Sequence, residues 1–402
     1  MIKQALEGLK VLEYCDFVSG PYCSKLLGDM GAEVIKIEKP GLGDKARRRG
    51  PFLNNIPHPE KSGLFLYLNI NKLGITLNPE THTGKKILKE LVKETDVLIE
   101  DRSPKEMKDM GLDYESLREI NPSLIMTSVT PFGQNGTHRD YKAYDINMYY
   151  GSGMIYKPLP PDDENHQPMK GAGHFGDYTS GLTAAMATLC AQYVRENTGG
   201  GQYIDISKQE ALIALLRVTS VTYPNYGLSD FSLASIAGAM GGLQRCKDGY
   251  VMLTTAEEHQ WQAFIKLMGD PEWAKDPDLQ DIFSRANNYH KFEPYIKKWL
   301  MNHTKDEIYQ GGQALGCPVA TISTTEDIAN SKQMKARDFF VEIEHKEAGR
   351  LKYPQAPYRF SKSPCVTHRP APLLGEHNEE IYCKHLCYSK DDLVKLAESG
   401  II

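Results

Sequence analysis

The 402-residue chain has no stretch approaching the roughly 20 consecutive apolar residues that a bilayer-spanning helix requires. Its opening, MIKQALEGLKVLEYCDF, lacks an apolar segment leading to a small-residue cleavage site. These absences predict a cytoplasmic protein with no membrane partner. Paired CxxC spacings are missing too, although eight cysteines run from Cys15 to Cys387; scattered thiols fit a reducing compartment better than a disulfide framework. The one tight group, CKHLC at 383–387, has no second half, so no metal site is expected. A formal net charge of −5 provides no field for coating a polyanion, which argues against nucleic acid. No GxGxxG follows the first predicted strand. CDFVSGPYCSKLLG has Gly20 but not the three-glycine spacing, so Glu38, placed where a ribose-binding acid would stand, does not complete a nicotinamide or flavin site.

What is present is the composition of a globular enzyme too long for one ordinary core. LKVLEY reads as a strand, YCSKLLGDMG as a helix with Pro21 in its first turn, and AEVIKIEKP as a second strand. The order repeats in GKKILKELVKETDVLIED, where Ile87, Leu88, Leu91 and Val92 share one helical face, and again in LREINPSLIMTSVT. Alternating helix and strand predicts an α/β fold with a parallel sheet covered on both faces. The texture changes after TGGGQYIDISKQEALIALLRVTS. A glycine-rich loop, the strand YVMLTT, helical patterns around HQWQAFIKLMG and FEPYIKKWLMNHTKDEIYQGGQALG, and the strand PVATIS mark a smaller domain. The expected division is 1–224, 225–330 and a tail, 331–402, whose prolines and aromatics suit an ordered strap over the first domain.

Asp177 stands in GHFGDYTSGLTAAMATL, bracketed by Gly171, Gly173 and Gly176 and followed by a small-residue helix. The position suits a helix cap or first-turn residue. The small side chains of Gly181, Ala184 and Ala185 also leave room for a ligand beside the carboxylate. A carboxylate is ionised at neutral pH and can attack an activated carbonyl without a general base. The resulting anhydride would need protection from water. A basic run, Lys39, Lys45, Arg47, Arg48 and Arg49, follows the second strand, where ligands bind in parallel sheets and where guanidinium forks suit phosphate oxygens; a solvated loop is the alternative. Together the two features describe a site for a phosphate-bearing thioester and a carboxylate nucleophile.

LEGLKVLEYCDFVSGPYCSKLLGDMGAEVIKIEKPGLGD, GDYTSGLTAAMATLCAQYVRENTGGGQYIDIS and APLLGEHNEEIY, in this order, resemble the class III CoA-transferases over nearly the whole chain. The resemblance implies a Rossmann-like large domain built from both chain ends, a smaller α/β domain between, and an interlocked homodimer. It implies that Asp177 is the nucleophile, passing through an aspartyl anhydride and an aspartyl-CoA thioester. Acyl-CoA and a free carboxylic acid would be the substrates, with no cofactor beyond coenzyme A as co-substrate. CoA contacts implied by position are Val18, Ser19, Lys39, Leu77, Asn78, Arg102, Lys142, Ala143, Tyr144 and Asp145. Members often carry Arg before the Met-Gly of KDMG; here Asp109 stands there and Lys108 is the substitute. AGAMGGLQ, with Gly241 and Gly242, is the counterpart of a substrate loop, and its departure from the pattern implies an acceptor other than oxalate. Tyr149, Tyr150, Met154 and Tyr156 hint at an apolar acid, although such residues commonly belong to a core.

Two other readings share these residues. The 2-methylacyl-CoA racemases have the same fold but need a His before DIN, where this chain has Tyr144, a phenol that exchanges protons poorly near neutrality. His174 could replace it, although a histidine in a glycine-rich turn is more commonly a structural hydrogen bonder. A non-catalytic CoA-binding subunit of a hetero-oligomer is the other reading; the intact motif around Asp177 argues against it.

Overall fold

The computed structural model describes residues 3–154, 171, 173–216, 218–227 and 241–402; Tyr156 and the first half of the AGAMGGLQ segment, residues 237–240, lie outside them. The chain divides into two compact units, residues 1–220 with 337–402, and residues 221–336.

The first unit is built on six parallel strands: β1 (Lys10–Tyr14), β2 (Glu33–Glu38), β3 (Lys72–Thr76), β4 (Val97–Glu100), β5 (Ile125–Thr130) and β6 (Tyr203–Ser207). Their order is β3-β2-β1-β4-β5-β6. Successive strand residues point to opposite faces, so Val11, Val97 and Ile99 enter one core while Leu12 and Leu98 enter the other. Helices α1 (Ser19–Asp29) and α5 (Phe175–Thr198) cover the first face through Leu26, Leu27, Ala184 and Ala185. Helix α2 (His82–Val92) covers the second with Ile87, Leu88 and Leu91. Two short helices, α3 (Pro104–Met110) and α4 (Asp145–Gly151), follow β4 and β5, and α6 (Lys208–Ile213) follows β6 directly. The winding reverses between β1 and β4, which places a crevice at their carboxyl ends, the usual ligand position in such sheets.

Strand β3 gives little signal in the sequence, because KLGIT carries a lysine and a glycine. Both are explained by packing. A Cβ on Gly74 would lie 2.7 Å from the Pro372 ring, and Lys72 is wholly buried, its Nζ 2.7 Å from Glu13 Oε2. Lys36, opposite Glu13 across the β1/β2 register, binds Oε1 at 2.6 Å. The C-terminal segment lines the β3 edge: Gly74 N donates to His377 Nδ1 at 3.0 Å and Tyr382 Oη to the Thr76 carbonyl at 2.6 Å. An edge strand that would otherwise offer unpaired amides is thereby covered.

The second unit holds a three-stranded antiparallel sheet, β7 (Gly242–Cys246), β8 (Gly249–Leu253) and β9 (Val319–Thr321), packed by helices around Trp261, Phe264, Phe292 and Leu300. The long helical pattern FEPYIKKWLMNHTKDEIYQGGQALG is two helices, Tyr289–Asn302 and Lys305–Leu315. Thr304 interrupts it as an N-cap, paired with Glu307 in a capping box. Among the described residues, no helix is long and apolar enough to cross a membrane.

Candidate active site

Asp177 lies in the first turn of α5 and is only 3% exposed. His174 holds the N-cap position and makes no side-chain cap bond. The Asp177 carboxylate does not cap the helix either: its Oδ1 accepts from Ser19 Oγ at 2.8 Å and from Lys208 Nζ at 2.9 Å. Its backbone N–H donates to Asp145 Oδ1 at 3.0 Å. His174 Nδ1 stands 3.8 Å from Oδ2, and the imidazole packs edge-on against Phe17 with centroids 4.8 Å apart.

Small residues make this convergence possible. A Cβ on Gly181 would lie 2.5 Å from the Ser19 carbonyl, so α1 and α5 meet at backbone distance, and a Cβ on Gly176 would meet Asp145 Oδ1 at 2.7 Å. Phe17 adopts φ +74°, an uncommon conformation for a side-chain-bearing residue, in the turn that delivers Ser19.

The same turn joins a cavity of about 220 Å³ at the carboxyl ends of β1 and β2. Lys39, Lys45, Arg48 and Arg102 line it, with Leu77 and Asn78. Asp16 draws two of the cations together, Lys45 at 3.1 Å and Arg102 at 3.5 Å, and Arg102 lies 4.6 Å over the Tyr14 ring. Lys39 is paired only at the surface, 3.4 Å from Glu80. Three carboxyl groups near the crevice differ in character. Burial pushes Glu100 up to about 8, and burial, countered by Arg102 and reinforced by Asp16, pushes Asp101 up to about 6. Asp16 is lowered instead, because Arg102 and Lys45 outweigh its burial.

The basic run therefore divides. Lys39, Lys45 and Arg48 reach the cavity, but Arg47 does not belong with them. It is buried, its Nε 2.7 Å from Glu38 Oε2 and its Nη2 2.8 Å from Oε1, with Glu60 on Nη1 and the Pro372 carbonyl on Nη2. Its fork is filled by this chain's own carboxylates and is closed to phosphate. Glu38 is consumed in the same pairing. Arg49 faces solvent, 5.9 Å from the Phe17 ring.

The other positions singled out in the sequence are spread over several places. Ser19 and Asp145 hold Asp177 itself. Lys39, Leu77, Asn78 and Arg102 share the cavity, while the Val18 side chain is wholly buried beside it in sequence. Lys142, Ala143 and Tyr144 precede α4, with Lys142 and Tyr144 exposed; Lys108 is exposed on α3, where Asp109 pairs with Lys105. Tyr149 is buried against Phe175 and Tyr150 is exposed. Gly241 and Gly242 belong to the second unit, Gly242 opening β7 with φ +86°.

Lys208 was not legible as a site residue. A cation in the first turn of a helix opposes the helix dipole, and this is the signal that could have found it: SKQE places Lys208 just after the Ser207 N-cap, at the carboxyl end of β6.

Residues 6–378 match the family model described as CoA-transferase family III. The formyl-CoA:oxalate CoA-transferase of Streptomyces avermitilis is 32% identical over 99% of this chain and 100% of its own length. That of Streptomyces coelicolor is also 32% identical, over the full length of both. Among solved structures, a CAIB/BAIF family protein from Brucella suis matches with a TM-score of 0.84 and 28% identity, covering 95% of this chain and 99% of that one. A Mycobacterium tuberculosis protein matches with a TM-score of 0.80 and 26% identity, covering 94% and 99%. Over its whole length, then, the chain belongs to CoA-transferase family III and is an enzyme of that family.

Proposed function

We propose that Asp177 is the covalent nucleophile of this transferase and that the Lys39/Lys45/Arg48/Arg102 cavity takes the phosphates of CoA. One observation carries the reading: within four residues the chain passes from the cationic cavity, which Asp16 lines, to the start of α1, where Ser19 hydrogen-bonds the buried Asp177 carboxylate. A phosphate-bearing thioester bound by the first would present its acyl end toward the second.

The chemistry is acyl transfer throughout. An Asp177 oxygen attacks the donor thioester carbonyl and expels CoA thiolate, leaving a mixed anhydride. The thiolate adds to the aspartyl carbonyl and expels the donor acid, giving aspartyl-CoA. An acceptor carboxylate reverses the two steps and leaves as its CoA ester, restoring the Asp177 carboxylate. Thioester energy is retained, so the reading needs no cofactor beyond CoA. Burial of Asp177 limits hydrolysis of the anhydride.

The relatives are named for formyl-CoA and oxalate, which makes that pair the first to assay, ahead of a panel of other acyl-CoAs and mid-sized acids. Neither the racemase reading nor the non-catalytic subunit reading gains support from relatives named as transferases. A cytoplasmic homodimer is part of the same proposal. Leu182, Met186 and Tyr193, more than half exposed on α5, support it by offering an apolar face, and light scattering of the purified chain tests it.

The deciding experiment for the nucleophile is hydroxylamine trapping. The acyl-CoA that turns over should convert Asp177 to a hydroxamate, located by peptide mass spectrometry, and Asp177→Asn should abolish both the adduct and transfer. Wild-type turnover in Asp177→Asn would remove Asp177 from the mechanism.

A further inference from the structure

The two oxygens of Asp177 are held differently. Oδ1 is clamped by Ser19 Oγ at 2.8 Å and Lys208 Nζ at 2.9 Å. Oδ2 has His174 Nδ1 at 3.8 Å, beyond hydrogen-bonding distance. Lys208 is anchored at the start of α6 and its side chain is only 18% exposed.

We propose that Oδ2 is the attacking oxygen, and that Lys208, with Ser19, forms an oxyanion site for Oδ1 during formation and breakdown of the aspartyl-CoA thioester. This rests on Asp177 being the nucleophile, and the atom balance then fixes the fate of each oxygen. When Oδ2 attacks the donor carbonyl, Oδ1 becomes the carbonyl oxygen of the aspartyl half of the anhydride. Thiolate addition to Cγ drives the C=O electron pair onto Oδ1, which takes a full negative charge between two donors already in place. Collapse breaks the Cγ–Oδ2 bond, and Oδ2 leaves in the donor acid. Acceptor attack puts one acceptor oxygen on Cγ. The final thiolate addition to the acceptor carbonyl leaves that oxygen in the regenerated carboxylate, in the place of Oδ2.

The differential effect decides which step Lys208 serves. In the resting carboxylate the charge is shared between two oxygens, whereas in the tetrahedral intermediate it is concentrated on the one that Lys208 touches. Preorganised donors accelerate the step in which charge develops beside them. The ammonium also keeps a neighbour of opposite sign while Asp177 is acylated, because Asp101 lies close enough to feel its charge.

The test counts isotopes. Wild-type enzyme turns over formyl-CoA with oxalate carrying heavy oxygen in every carboxylate position or, if another pair from the panel is faster, that pair with its acid labelled in the same way. The Asp177 peptide is then weighed after many turnovers. A clamped Oδ1 never leaves, so the label should plateau at one heavy oxygen; two would show that the carboxylate rotates between turnovers and would overturn the clamp. Hydrolysis of aspartyl-CoA by ordinary water lowers the count and cannot raise it.

Lys208→Met should lower kcat at least about 100-fold with little change in KM for acyl-CoA, and allow the second label to enter. Lys208→Arg should restore part of kcat. A Lys208→Met enzyme matching wild type in both readouts would overturn the role of Lys208 alone. Turnover with no label in Asp177 would instead overturn the nucleophile reading on which it rests. The wild-type label count needs no variant and stands even if the substitution impairs folding.

Discussion

Ser19 can be assigned to one of two roles by kinetics. Its hydroxyl is buried and bonded to Asp177, which makes it a group that acts on the reacting carboxylate rather than a surface for CoA. Ser19→Ala should therefore lower kcat by about tenfold, roughly 1.4 kcal/mol of barrier, and leave KM for acyl-CoA nearly unchanged. A raised KM at constant kcat would return Ser19 to the CoA-contact role that the family resemblance implies. At this scale the sequence was informative where a residue's neighbours are local. Asp177 could be singled out as a cap or a candidate nucleophile because glycines and small residues surround it in the chain. Lys208 was not, since its partner lies 31 residues away and is reached only through the placement of β6. Arg47 and Arg48 are indistinguishable as letters in KARRR; the short helical turn at Lys45–Arg48 sends one into the Glu38 carboxylate and leaves the other by the cavity.

Among the elements, the close crossing of α1 and α5 is what brings Ser19 to Asp177. Gly181 permits it, since an added Cβ would meet the Ser19 carbonyl at 2.5 Å and the Tyr22 side chain at 3.2 Å. Backbone cannot yield as the end of a flexible side chain can, so Gly181→Val should force the helices apart. The expected cost is about 1–3 kcal/mol in urea denaturation, together with a loss of kcat that exceeds what reduced folding explains. Undiminished turnover per folded molecule would show that the Ser19 contact does not depend on this crossing. The βαβ units were legible because periodicity and burial coincide in them, as in α2, whose Ile87, Leu88 and Leu91 face the core. Strand β3 was hidden because its fitness for the sheet depends on partners distant in sequence: Pro372 over Gly74, and Glu13 beneath Lys72.

For the whole molecule, stability should depend on pH through groups with opposite signs. Glu13, pulled down to about 2 because Lys36 and Lys72 outweigh its burial, is ionised in the fold below the pH at which the unfolded chain protonates it. Its contribution is complete above about 4.5 and is lost as pH falls toward 2. Glu100 behaves in reverse. Burial holds it up to about 8, so between about 4.5 and 8 the folded chain binds a proton that the unfolded chain has released, and stability falls as pH rises. Asp101, raised to about 6, adds to the same slope in the lower part of that range. Glu100→Gln removes the larger of these two shifts while keeping an oxygen to accept the Arg102 N–H now 2.7 Å from the carboxylate. His345 and His377, both lowered by burial, oppose this slope below about 6.5, so urea denaturation at pH 5 and pH 8 is compared between wild type and Glu100→Gln. Glu100→Gln should flatten that slope and be the more stable protein at pH 8. An unchanged slope in the variant would mean that Glu100 is already ionised in the fold at neutral pH. The crevice between β1 and β4 would then carry one more negative charge beside the cations proposed to receive the phosphates of CoA.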